Sequence, residues 1–177
     1  MSKKIIAFGA SNSSTSINKR LASYTATLFK NTEIEILDLN DFTVPTYAID
    51  IEKNEGIPKA AIDFYNKIGE ADLLIISMAE HNGNYTAAFK SILDWMSRIE
   101  GKLFQGKKML LLSTSPGARG ASSVLEISKD RFPRHDANLV GTFSLPSFYE
   151  NFDYDKGIVT NEDFDKQLKE LIQTIVF

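Results

Sequence analysis

Three continuous apolar runs limit this chain more than any other feature: Ile5 to Phe8, the Leu-Leu-Ile-Ile core of Ala71–Ser77, and the Met-Leu-Leu-Leu core of Lys107–Ser113. None alternates polar with apolar residues, so each reads as a strand buried on both faces, as in a parallel sheet. Each stops at small or turn-forming residues, and a helical pattern opens soon after. Weaker strands are expected at Ile34 to Leu39, alternating and therefore nearer an edge, and at Asn138 to Phe143. Helical periodicity covers Asn18–Phe29, Pro58–Ile68, Thr86–Ile99, Ala121–Phe132 and Asn161–Val176. Asn40–Gly56 reads as a long irregular segment, of the kind that is often functional or part of an interface. Alternation of strand and helix argues for an α/β fold whose five-stranded parallel sheet carries helices on both faces. A length of 177 residues fits one domain, 1–177.

In such sheets ligands sit beyond the carboxyl ends of the strands, where the strand order reverses. Three loops meet that description: Gly9–Ser16, Met78–Thr86 and Thr114–Ala121. The first leads from a buried strand into a helix, so unpaired N–H groups and the helix dipole favour an anion there. Its hydroxyls at Ser11, Ser13, Ser14, Thr15 and Ser16 add neutral donors suited to a phosphate. Ser, Thr and Asn also favour ordinary helix caps, and that plainer reading stands beside it. In the second loop Asn82-Gly83 is a turn signal able to aim backbone groups at a flat heterocycle, with His81 and Tyr85 placed to pack on a ring. Glu80 reads either as a solvated carboxylate or as a helix cap. In the third loop Pro116-Gly117 reads as a turn, Gly120 permits a close approach, and Arg119 suits a phosphate or a ring face. Phe89 and Trp95 read as core.

Composition removes several function classes. The net charge of −3 and pI near 5.4 speak against a nucleic-acid partner. With no Cys there are no disulfides, thiolate metal sites or Cys nucleophile, and His81 and His135 are the whole imidazole supply, so no metal centre is expected. The apolar run near the start is too short for a signal peptide and no run approaches a membrane span, which sets the expectation of a cytoplasmic protein with no membrane partner. The dinucleotide G-x-G-x-x-G, the P-loop and G-x-S-x-G are all missing.

Gly9–Asn18, Glu80–Tyr85 leading into Ala88–Trp95, and Ser113–Gly117 after a Gly-Lys-Lys strand start together give a chain that resembles the NADPH-dependent FMN reductases. The resemblance implies a flavodoxin-like three-layer sandwich with strand order 2-1-3-4-5. It also implies bound FMN, NADPH or NADH as reductant, a small electron acceptor such as a flavin or quinone, and a homodimer or homotetramer. On it, the first loop wraps the FMN phosphate through Ser11, Ser13, Thr15, Ser16, Ile17 and Asn18. Ala79, Glu80, His81, Asn82 and Gly83 from the second loop, with Ser115, Pro116, Gly117, Arg119 and Gly120 from the third, bracket the ring. Backbone N–H groups around Gly83 and Gly117 are the expected donors to the reduced ring, and hydride transfer needs no side-chain base, so no catalytic residue is named. His81 is a candidate for tuning the flavin or protonating an acceptor. Three positions depart from the family: Asn12 and hydroxyls stand where a basic residue is common, His81 where a Tyr is usual, and Ala118, Arg119 and Ala121 among the usual glycines. Competing readings are a one-electron carrier, for which −3 is a weak charge, and a non-catalytic nucleotide-binding domain.

Overall fold

The computed structural model describes residues 2–177. Its elements run β1 (Lys3–Gly9), α1 (Ile17–Thr27), β2 (Thr32–Ile36), α2 (Ile49–Glu55), α3 (Lys59–Gly69), β3 (Leu73–Met78), β4 (Glu80–His81), β5 (Asn84–Tyr85) and α4 (Ala87–Ile99). Then come β6 (Lys108–Thr114), α5 (Ser122–Arg131), β7 (Asn138–Leu145), α6 (Phe148–Asn151), β8 (Phe152–Asp153), β9 (Ile158–Val159) and α7 (Glu162–Gln173). Short 3-10 turns occupy Leu39–Phe42 and Phe132–His135.

The apolar runs become β1, β3 and β6, the middle of a five-stranded sheet ordered β2-β1-β3-β6-β7, every pair of which is parallel. This is the expected 2-1-3-4-5 arrangement. Alternate residues of the central strands feed two cores, as strand geometry requires. Ile5, Ala7, Leu73, Ile75, Leu110 and Leu112 meet Leu21 and Ala22 of α1 and Leu168 and Ile172 of α7. Ile6, Phe8, Leu74, Ile76, Met109 and Leu111 meet α3, α4 and α5 through Phe64, Phe89, Ile92, Met96 and Val124. The result is three layers, helices above and below one sheet. β2 lies on an edge, and Ile34 and Ile36 are each 37% exposed, which agrees with its alternating sequence.

The segment 40–56, expected to be irregular, holds part of a 3-10 turn and the helix α2. Tertiary contacts anchor it: Trp95 Nε1 donates to Pro45 O at 2.7 Å, and Arg98 Nε pairs with Glu52 at 3.0 Å. Short polar sequences gave no periodic signal for α2, because it buries no residue. Among the described residues no helix is long and apolar enough to cross a membrane.

Candidate functional site

At the carboxyl ends of β1, β3 and β6 the three loops meet, on either side of the point where the chain reverses its direction of travel across the sheet. Buried neutral side chains hold them in place. Asn18, 3% exposed, sits at the start of α1. Its Oδ1 accepts from Ser77 Oγ at 2.6 Å and from Thr114 N at 3.2 Å, while its Nδ2 donates to Thr114 O at 3.1 Å. One amide thus joins the ends of three strands' connections. Thr86 caps α4, accepting from Phe89 N at 3.2 Å, and donates to Ala10 O at 2.9 Å, tying the second loop to the first. Ser113 Oγ and Ser144 Oγ both donate to Gly120 O, at 2.7 and 2.9 Å. Every one of these groups is satisfied inside the protein, so the rim is set before any ligand arrives.

Gly9 explains how strand and helix come so close. A Cβ there would lie 2.4 Å from Lys19 N and 2.8 Å from the carbonyl carbon of Asn18. Ser16 is the N-cap of α1, its Oγ accepting from Lys19 N at 3.1 Å. The loop satisfies the N–H groups of Ser13, Thr15 and Ser16 internally, through Ser11 Oγ, Ser13 Oγ and Ser13 O. The N–H groups of Asn12, Ser14, Ile17 and Asn18 find no acceptor among the described residues. Two of them belong to the first turn of a helix, where the dipole adds to their pull on an anion.

These elements wall a cleft of about 220 Å³. Its lining unites Ser11, Ser13, Thr15, Ser16, Ile17 and Asn18 from the first loop, Ala79, Glu80 and His81 from the second, and Thr114, Ser115 and Pro116 from the third. Tyr149 of α6 closes the set; its side chain is 68% exposed at the mouth. Thr114 opens the third loop but was not among the residues expected to touch a ligand, and Tyr149 was missed because it comes from a segment distant in sequence.

Five expected site residues lie outside this lining. Asn82 and Gly83, with φ of 52° and 76°, form the two-residue turn of the β4–β5 hairpin. Gly117 O accepts from the N–H groups of Gly120 and Ser147, so it shapes the third loop and α6. Gly120 (φ 57°) does permit a close approach, to the chain's own Ser144 and Pro146. Arg119 is three-quarters exposed and reaches Glu80 Oε1 at 3.6 Å. Glu80 itself accepts from Val124 N at 3.0 Å, so it bonds the first turn of α5 and not that of the helix that follows it, α4, which Thr86 caps. Around these turns three non-glycine residues adopt left-handed backbone, Asn82, Ala121 at φ 60° and Ser147 at φ 44°. Each such residue costs about 1–2 kcal/mol, and such strain gathers where geometry matters for function.

A family model described as NADPH-dependent FMN reductase matches residues 3–150. An uncharacterized MG342 homolog from Mycoplasma pneumoniae is 27% identical over 159 residues, covering 87% of this chain and 93% of that one. The NADH-dependent flavin reductase subunit 2 of Lactobacillus johnsonii is 30% identical over 144 residues, covering 77% and 74%. Among solved structures, the flavoenzyme NAD(P)H:(acceptor) oxidoreductase FerB from Paracoccus denitrificans shares the fold, with a TM-score of 0.75 at 24% identity over 97% of this chain and 93% of that one.

Proposed function

The chain belongs to the NADPH-dependent FMN reductase family, and on that premise we propose how its rim carries out NAD(P)H-dependent flavin oxidoreduction. The residues present suit FMN. Unsatisfied main-chain N–H groups at Ile17 and Asn18, in the first turn of α1, join the Ser11, Ser13 and Thr15 hydroxyls in a neutral cradle matched to a phosphate. That cradle is the observation on which this reading stands. The rest of the lining comes from Ala79–His81 and Thr114–Pro116, two segments suited to the faces and edge of a flat ring.

Bound there, FMN would supply the hydride and electron chemistry that links a reduced nicotinamide to a second acceptor. The protein's part is to hold and to polarise. Ile17 and Asn18 N–H groups, with Ser11, Ser13 and Thr15 hydroxyls, hold the phosphate; the Asn18 side chain takes no direct part, because Ser77 and Thr114 occupy it. Ala79 and Ser115 have N–H groups with no acceptor among the described residues, and both line the cleft. They replace Gly83 and Gly117 as the donors to negative charge on the ring, since fixed donors need no reorganisation. Glu80 is turned away into its cap on α5, which keeps a carboxylate from opposing that charge. His81 is exposed at the cleft wall and serves as the nearest proton donor to an acceptor. Tyr149 covers the mouth and offers an aromatic face to a planar acceptor such as a flavin or quinone.

The whole of 1–177 acts as one unit in this reading, and a second copy completes it. Ile49, 49% exposed, and Tyr149 mark the apolar ground for a homodimer or homotetramer contact. A reduced nicotinamide as co-substrate agrees with a cytoplasmic setting. The test is the visible spectrum of purified protein with added FMN, before and after anaerobic NADPH or NADH. Flavin binding with bleaching by a nicotinamide is expected; an unchanged spectrum and unquenched fluorescence on FMN titration would refute the reading.

A further inference from the structure

Beside the first loop lies a second pocket of about 240 Å³ between α1 and the chain leaving β8. It is walled by Ser14, Ser16, Lys19, Arg20, Ser23 and Tyr154. Ser16 lines this pocket and the flavin cleft alike, so the two are neighbours across one residue. No carboxylate is among the lining residues, in a chain whose net charge is −3. Lys19 is already neutralised by Asp38 at 2.6 Å. Arg20 is different: among the described residues it has no carboxylate partner, and its guanidinium lies 4.5 Å from the centroid of the Tyr154 ring. Stacking holds the guanidinium plane while leaving its edge donors unspent. Ser14 adds a hydroxyl and a main-chain N–H, neither with a partner among the described residues.

We infer that this pocket is a second anion subsite, which takes the distal phosphate of a dinucleotide whose flavin half lies in the cleft, so that the protein binds FAD as well as FMN. The inference rests on the flavin reading of the cleft. A monophosphate ends at the cradle. A pyrophosphate that continues past Ser16 enters a pocket with two cations, of which Lys19 is paired with Asp38 and Arg20 has no carboxylate partner among the described residues. Binding here forms and breaks no covalent bond; it extends the range of cofactor held. The pocket also accounts for Tyr154, which folds back from the C-terminal hairpin onto α1, far from it in sequence.

The experiment is a pair of fluorescence titrations, FMN and FAD separately, on wild type, Arg20→Gln and Ser23→Asp. Arg20 is exposed, so its loss leaves the fold intact, and a carboxylate at Ser23 would repel a phosphate and engage Arg20 on the same helix face. Both variants are expected to weaken FAD by about tenfold, since a charge-assisted hydrogen bond is lost or opposed, while FMN shifts by less than about twofold. Circular dichroism confirms that both variants are folded. Equal weakening of FMN and FAD would overturn the subsite, because Arg20 would then serve the first phosphate. FAD affinity that is indifferent to both variants would overturn it as well. Failure of wild type to bind either flavin would overturn the cleft reading and this inference together, whereas the first two results leave the cleft reading standing.

Discussion

The two ends of the sheet are built by opposite chemistry. At the amino end the strands are closed by charge. Lys4 Nζ meets Glu70 at 2.6 Å, Glu35 at 2.9 Å and Glu33 at 3.7 Å, and Lys67 bridges Glu35 and Glu70 at 3.1 and 3.2 Å. Asp72 accepts from Lys4 N at 2.8 Å. At the carboxyl end Asn18, Ser77, Thr86, Ser113 and Thr114 are neutral and buried. The ionic end faces water, which screens each pair and leaves it little net worth. The neutral end is dry, so every bond there is costly to lose, and its unspent donors remain free for an incoming anion. An ion network at the rim would have competed with the ligand; placed at the far end, it does not.

Removing the closest approach on the neutral end should do the most damage. Gly9→Ala drives a methyl into the backbone of Asn18 and Lys19, and the expected loss is about 3 kcal/mol of stability in urea, with FMN binding abolished. Next comes Asn18→Ala, which strands Ser77 Oγ and the main chain of Thr114. About 2 kcal/mol should be lost, together with at least a tenfold fall in FMN affinity as the loops lose their common anchor. Tyr149→Ala separates ligand contact from folding: denaturation should be unchanged within about 0.5 kcal/mol, while the KM for a quinone acceptor rises about fivefold. A substitution at Tyr149 that unfolds the protein would show that the mouth is part of the core after all.

Smallest of all should be the ionic end. Glu70→Gln is expected to change stability by less than about 0.5 kcal/mol and FMN affinity not at all. Its pH signature is more telling. Hydrogen bonds from Lys4 hold the Glu35 and Glu70 carboxyls below their usual range, and the Lys4 main-chain N–H does the same for Asp72. A depressed pKa in the folded state means stability that is fully present above the ordinary carboxylate range and lost as pH falls through the lowered values. Thermal unfolding should therefore be insensitive to pH near neutrality and fall below pH 4.5, the ordinary Glu value. Salt should flatten that fall, because the pairs are exposed. If the amino end proved more sensitive than the rim, the contrast drawn here would be reversed.

How much of this was legible before folding differs by element. Continuous apolar runs announced β1, β3 and β6, since a strand covered on both faces has no polar side to show. The first loop was also plain, because a strand stopping at Gly9 and a cluster of hydroxyls before a helix leave unpaired donors in any arrangement. The second and third loops were only half legible. Asn82-Gly83 was recognisable as a turn, yet a turn signal carries no direction, and the two residues sit at the tip of a hairpin and outside the cleft lining. Gly120 signalled a close approach without saying to what, and the neighbour is the chain's own Ser144.

The sequence by itself determined the layer architecture and the chemical character of the phosphate loop, because burial patterns and unspent backbone donors are local properties of the chain. Tertiary structure decided which residues face one another. Asn18 joins Ser77 and Thr114, Tyr149 reaches the cleft mouth, and Tyr154 meets Arg20. Each pairing spans a distance along the chain over which no periodicity persists, so the packed layers had to form before those side chains could be neighbours.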